Sequence, residues 1–194
     1  MNEENKHHVD DAKPLAELPN GAETTDRPAP PEPVREIEPD VIQPDGRISY
    51  RMDTTPSEAL VIHCGDPRFQ TAFRRFINEE LGIRNYTPVI VGGGVHAFGV
   101  QSFLPKNFKI LWEQVKFFVR EGRLTQIVII NHDDCKWYEK MQGYHPGIRL
   151  PLKGKLDLES AARTILSDFA HVRVRTFWAG LDGSRITFTE TTAG

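Results

Sequence analysis

Cysteine and long apolar stretches are both scarce in this 194-residue chain. Two cysteines cannot build the disulfide framework of a small secreted domain, although one bond between them is possible. No apolar run approaches the roughly 20 residues that a membrane-spanning helix needs. The first residues, Met1–Lys6, open an acidic stretch without the apolar core of a secretory signal, so we expect a cytoplasmic protein.

Strong charge of either sign is also missing, because the formal net charge is only −3. Residues 1–47 carry 12 acidic and 5 basic side chains, whereas the remainder carries 15 acidic and 19 basic side chains. This mild, scattered positive charge lacks the clustered basic stripe of a nucleic-acid-binding protein. We therefore expect neither a nucleic-acid nor a membrane partner.

The prolines are concentrated at the start of the chain, where residues 1–47 hold 8 of the 14. Frequent proline and low hydrophobicity leave too little apolar surface to offset the entropy of ordering. We therefore predict that residues 1–47 form a disordered acidic tail. Residues 48–194 are long enough to form one globular domain with a buried core.

Patterns typical of strands and helices alternate after Ser57. Three apolar runs predict buried parallel strands: Ala59–Cys64, Thr87–Gly92 and Gln126–His132. Two helical stripes follow the first two runs, one with Phe69, Phe73, Phe76 and Ile77 and one with Leu111, Val115 and Phe118.

The last part of the chain adds one helix and a hairpin. After a loop rich in Gly and Pro at 142–155, Asp157 is a candidate cap for a third helix. The runs Val172–Ala179 and Arg185–Thr189 flank a hairpin signal, Gly180–Gly183. The order βαβαβαββ predicts an α/β fold with a mostly parallel central sheet, flanking helices and an antiparallel edge strand.

Two predicted strands end in side chains that bind soft metal ions. Cys64 ends the first strand, and His132 ends the third, with Cys135 three residues later. Ligands of parallel sheets gather beyond the carboxyl ends of the strands, so these three side chains converge if the two strands are neighbours. Two thiolates and an imidazole suit zinc, and three protein ligands leave a fourth position open, as in catalytic sites.

Simpler interpretations of the same residues stay open. Free cysteines are often small buried apolar residues, and His132 could be a core histidine with satisfied hydrogen bonds. Asp66 and Arg68 could form a structural ion pair. A cysteine phosphatase is excluded, because its loop needs arginine six residues after the cysteine and this chain has Gln70 there.

The run Cys64-Gly-Asp66-Pro-Arg68, followed by His132-Asp-Asp-Cys135 at the end of a β-rich strand, resembles the β-carbonic anhydrase family. The resemblance covers roughly residues 57–190. It implies a zinc ion held by Cys64, His132 and Cys135, and reversible hydration of CO2 to bicarbonate by a zinc-bound hydroxide. It also implies a homodimer or a higher homo-oligomer.

The resemblance also assigns roles to two residues beside the ligands. Asp66 would accept a hydrogen bond from the zinc-bound hydroxide and orient it. Arg68 would hold Asp66 by a bidentate ion pair and keep that carboxylate off the metal.

The chain departs from the family pattern near the expected substrate pocket. Lys136 stands where the family has a glycine, and Gly92–Gly94 replaces a polar loop after the second strand. Two alternatives therefore stay open: a hydrolase of a CO2 analogue such as carbonyl sulfide, and a non-catalytic zinc-binding module. His96 could shuttle protons, but the loop pattern favours an exposed histidine there, and we expect His63 to be structural.

Overall fold

The structure, a computed structural model, describes residues 41–42, 46–144, 146–147 and 149–191. Most of the predicted tail, residues 1–40 and 43–45, lies outside the described residues. Val41–Ile42 (β1) pairs in antiparallel fashion with Ile48–Ser49 (β2). No helix among the described residues has the length and apolar character needed to cross a bilayer.

A five-stranded sheet forms the centre of the fold. Its strands are Ala59–Cys64 (β3), Tyr86–Val91 (β4), Gln126–His132 (β5), Arg173–Asp182 (β6) and Arg185–Thr191 (β7). The spatial order is β4-β3-β5-β6-β7, with every pair parallel except β6 and β7. This confirms the predicted α/β fold with a mostly parallel sheet and an antiparallel edge strand.

The central strands β3 and β5 are buried on both faces, which explains their continuous apolar runs. Alternate residues of β3 and β5 serve opposite faces of the sheet. One apolar cluster includes Leu60, Ile62, Ile127 and Ile129, and the other includes Ala59, Val61, Val128 and Ile130. All six residues of β3 are buried. The two central strands are therefore packed on both sides up to their carboxyl ends.

Helices connect and flank the strands. They are Gln70–Arg75 (α1), which continues into a π-helical turn at Phe76–Glu80, His96–Gly99 (α2), Pro105–Glu121 (α3), Lys136–Lys140 (α4) and Leu150–Asp168 (α5). A 3-10 turn lies at Gln142–Tyr144. The predicted stripes are buried at Phe69, Phe73 and Ile77 in the first helical segment and at Leu111 and Val115 in α3.

The start of α5 differs from the prediction. Asp157 was expected to cap this helix, but it lies inside α5, because the helix begins at Leu150 with Pro151 in its first turn. Proline suits that turn, since its missing N–H has no partner there anyway. Asp157 instead forms a buried ion pair with Lys153, one turn earlier in the same helix. The predicted loop at 142–155 is correspondingly shorter.

Candidate metal centre

Three side chains that bind soft metals meet beyond the carboxyl ends of β3 and β5. These strands are parallel neighbours, with His63 opposite Ile130, so Cys64 and His132 leave the sheet at the same edge. Cys135 returns to this edge after a short turn. The two sulfurs and a ring nitrogen of His132 all lie within 4.8 Å of one another, and all three residues are buried. The structure thus brings together the three residues that the sequence assigns to one site.

The two sulfurs face each other without a bond between them. Their separation is 3.7 Å, far beyond the roughly 2.05 Å of a disulfide, and both cysteines are free. The pKa of Cys64 is lowered, chiefly by a hydrogen bond with Cys135, and the same contact raises the pKa of Cys135. A cation beside both sulfurs would favour loss of the proton that they share.

His132 presents one ring nitrogen to these sulfurs. Its Nδ1 lies 2.7 Å from the carbonyl oxygen of Asp133, whereas Nε2 is buried with no hydrogen-bond partner among the described residues. A proton on Nδ1 satisfies that contact and leaves a free lone pair on Nε2, which is the usual arrangement of a metal-bound histidine. The ring of Phe69, 4.0 Å away between centroids, packs on the imidazole.

The Gly92–Gly94 loop lies against the sulfur of Cys64. The backbone N–H of Gly93 donates to that sulfur over 3.4 Å, and Gly93 has φ +72°, which favours glycine. The ring of Trp137 covers the loop so closely that a Cβ on Gly92 would lie 2.7 Å from it. The glycine loop, one of the two departures from the family pattern, is therefore packed against Trp137, which follows the other departure, Lys136.

Asp66 and Arg68 form the bidentate contact that the resemblance implies. The guanidinium donates from Nε to Oδ1 over 3.0 Å and from Nη2 to Oδ2 over 2.7 Å. These bonds lower the pKa of Asp66, so it is ionised at neutral pH. Arg68 also donates from Nη1 to Oδ2 of Asp134 over 2.6 Å. The guanidinium therefore bridges two carboxylates at the rim of the site.

Several residues at the site were missed by sequence reasoning. Asp134 bonds Arg68 and Lys136, and Asp133 accepts the backbone N–H of Leu181, so the two carboxylates between His132 and Cys135 have structural partners. Gln70 donates to the carbonyl oxygens of Cys64 and Asp66 and holds the turn between them. No local sequence pattern signals this role, because it depends on the geometry of the turn.

The other two histidines of interest are both buried. His63 is structural, as expected: its Nδ1 lies 2.9 Å from the carbonyl oxygen of Cys64, and its ring packs on Phe73. The expectation that His96 is exposed was wrong. It is 2% exposed, because it begins α2 and its ring packs edge-on against Tyr138.

Two cavities adjoin the site. A cavity of about 620 Å³ is lined by Cys64, Asp66 and Arg68, together with Gly92, Lys136 and Trp137. A second, mainly apolar cavity of about 330 Å³ shares Gly92 and Trp137 with the first and is bounded by Val100, Leu104 and Ile110, among others. A small molecule can therefore reach Cys64 past an apolar wall.

No protein-family model and no curated protein matches this sequence. Among solved structures, a β-carbonic anhydrase of Aspergillus fumigatus is similar at 14% identity over 72% of this chain and 77% of its own, with a TM-score of 0.47. A tetrameric β-carbonic anhydrase of Sordaria macrospora is similar at 13% identity over 71% and 83%, with a TM-score of 0.45. A β-carbonic anhydrase of Trichomonas vaginalis is similar at 13% identity over 72% and 86%, with a TM-score of 0.42. All three likenesses are of fold alone, at low identity and with TM-scores below 0.5.

Proposed function

We propose that this protein is a zinc enzyme that hydrates CO2 reversibly to bicarbonate. The observation that supports it most directly is the approach of two buried sulfurs and one ring nitrogen to within 4.8 Å of one another. An ionised Asp66, held by Arg68, lines the cavity that reaches Cys64. Hydration of a small electrophile needs metal ligands, a carboxylate that orients the nucleophile and a path by which the substrate reaches the metal.

The donor set and its spacing fit zinc. Two zinc–sulfur bonds of about 2.3 Å at the tetrahedral angle put the sulfurs roughly 3.8 Å apart. The observed separation of 3.7 Å needs almost no rearrangement. Thiolate and imidazole ligands favour zinc over magnesium or calcium, which prefer oxygen. Three protein ligands leave a fourth position for water or substrate.

The proposed chemistry divides between the metal and Asp66. Zinc bound there would lower the pKa of a coordinated water to about 7 and so supply a nucleophile at neutral pH. Asp66 would accept a hydrogen bond from that nucleophile and orient it toward CO2. Each carboxylate oxygen has two lone pairs, so Asp66 can accept this bond while it accepts those from Arg68. Gly92 and Trp137 form an apolar surface of the cavity against which CO2, a small apolar molecule, can pack.

Stopped-flow CO2 hydration on the full-length protein, with zinc quantified in the same sample, tests the proposal. We expect a rate above buffer that is proportional to bound zinc. A zinc-replete protein with no such rate would reject the enzyme and leave a non-catalytic zinc module. A protein that takes up no zinc would reject both. Sulfide release from carbonyl sulfide, measured on the same sample, distinguishes the hydrolase alternative.

We also propose that the protein acts as a homodimer or a higher homo-oligomer, as the resemblance implies. Ile90 on the edge strand β4 and Ile110 on α3 are 51% and 62% exposed. A second copy would cover such apolar side chains. Light scattering across a range of concentrations tests this, and a monomer mass throughout would contradict it.

A further inference from the structure

Buried hydrogen bonds connect β5, α4 and α5 behind the metal centre. Asn131 donates from Nδ2 to the hydroxyl of Tyr138 and to the carbonyl oxygen of Gly154, each over 3.0 Å. The Tyr138 hydroxyl donates to Oδ2 of Asp157 over 2.8 Å, and the other carboxylate oxygen bonds Lys153. We call Asn131, Tyr138, Lys153 and Asp157 the Tyr138 network.

Stability alone does not account for the ion pair in this network. The side chains of Lys153 and Asp157 are 8% and 1% exposed, and burial raises the pKa of Asp157 despite its partner. The cost of removing two charges from water can exceed the gain from their attraction. Apolar residues of similar volume are often at least as stabilising at such positions. A role in positioning is one physical reason for such a pair.

The network is attached to two of the three candidate ligands. Asn131 immediately precedes His132, and Tyr138 follows Cys135 by three residues. Tyr138 also packs with Cys64 and Cys135 in a small buried cluster. Cys135 is the N-cap residue of α4, a helix of five residues that is too short to be stable without tertiary contacts.

We propose that the Tyr138 hydroxyl positions Cys135 for metal binding. Its bonds to Asn131 and Asp157 hold α4 against β5 and α5, and so fix the Cys135 sulfur relative to Cys64 and His132. The inference rests on the zinc site of the proposed function but not on its reaction. Outer partners of metal ligands typically change metal affinity by about 10- to 100-fold when they are removed. No bond between Tyr138 and the metal is involved, so Tyr138 is a positioning residue.

Tyr138→Phe removes only the hydroxyl, and zinc affinity measured by competition with a chelator reports the effect. We expect the affinity to fall about 10- to 100-fold and the visible spectrum of the cobalt-substituted protein to change, because the ligand geometry loosens. Thr176→Val is the matched control. It removes a buried hydroxyl of β6 that bonds the carbonyl oxygen of Thr191 over 2.6 Å, and it should leave the zinc affinity unchanged. A Tyr138→Phe affinity within twofold of wild type would overturn the inference.

A second variant keeps the inference testable where Tyr138→Phe does not fold. Lys153→Met combined with Asp157→Val replaces the buried ion pair by apolar residues, so neither charge is left buried without its partner. Its zinc affinity should still fall about 10-fold, because Tyr138 loses its acceptor. An unchanged affinity in this variant would contradict the positioning role. A wild-type protein that binds zinc tightly but hydrates no CO2 would reject the proposed reaction and leave this inference intact.

Discussion

At the scale of single residues, the three candidate ligands are fixed in different ways. Cys64 ends a buried strand and is held by a turn that Gln70 bonds. His132 is oriented by the carbonyl oxygen of Asp133 and by the ring of Phe69. The sequence predicts these ligands because the chain has only two cysteines and both lie near strand ends. It could not predict Gln70, whose role depends on a turn geometry that no local pattern encodes.

Cys135→Ser should abolish stoichiometric zinc binding. A serine hydroxyl stays protonated at neutral pH and cannot replace a thiolate ligand. Elemental analysis of the purified variant should show near-zero zinc, against one zinc per chain in the wild type. Full retention of zinc would refute the assignment of Cys135 as a ligand.

Asp66→Ala should keep zinc and lose activity. The carboxylate is not a ligand in the proposal, but it orients the nucleophile, so we expect the CO2 hydration rate to fall by about 10²-fold or more. Asp168→Ala, at the exposed end of α5, is the control and should leave the rate unchanged. Equal rates in Asp66→Ala and wild type would remove Asp66 from the mechanism.

At the scale of elements, apolar runs predicted the strands well, and the bounds of β3 and β5 agree with the structure. These strands are buried on both faces, so their residues form continuous apolar runs that are easy to recognise in the sequence. The short helices α2 and α4 were not predicted, because four or five residues carry no periodicity and are stabilised by packing on the site. The start of α5 was missed because Asp157, a residue typical of a helix cap, serves the Tyr138 network instead.

Gly93→Ala tests the loop that covers Cys64. A Cβ at Gly93 would collide with the ring of Trp137, in a backbone conformation with φ +72° that alanine disfavours. Gly183→Ala is the matched control, since its φ is +59° and nothing lies within 4 Å of the added Cβ. Chemical denaturation should show a loss of about 1–2 kcal/mol for the control, from the backbone alone. Gly93→Ala should lose clearly more, and an equal loss would mean that Trp137 moves aside freely.

At the scale of the whole molecule, the strand order explains why residues so far apart in sequence form one site. Because β3 and β5 are adjacent and parallel, their carboxyl ends coincide. The sequence predicted the alternation of strands and helices that makes this possible. It did not predict that β3 and β5 are neighbours. Strand order depends on contacts between distant segments, which a single sequence does not display.

Limited trypsin digestion of the full chain tests the predicted tail, residues 1–47. Within residues 1–40, cleavage should occur first after Lys6 and Arg35, because Lys13 and Arg27 are followed by proline and resist trypsin. Sites in α3 such as Arg120 should be cut much more slowly, since cleavage there requires local unfolding. The fragment that begins at Glu36 should keep its zinc. Equal protection of Arg35 and Arg120 would contradict a disordered tail.

The long separation of the two cysteines along the chain has a consequence for the stability of the protein. Cys64 and Cys135 are 71 positions apart, so a zinc ion bound by both, as proposed, would close a long loop of the chain. Bringing the two ends of such a loop together costs conformational entropy. A metal ion that binds only the folded protein would offset this cost, so the stability of the fold would depend on the concentration of free zinc. Low zinc would therefore lower the stability of the protein, and hence its lifetime, in addition to removing the proposed activity.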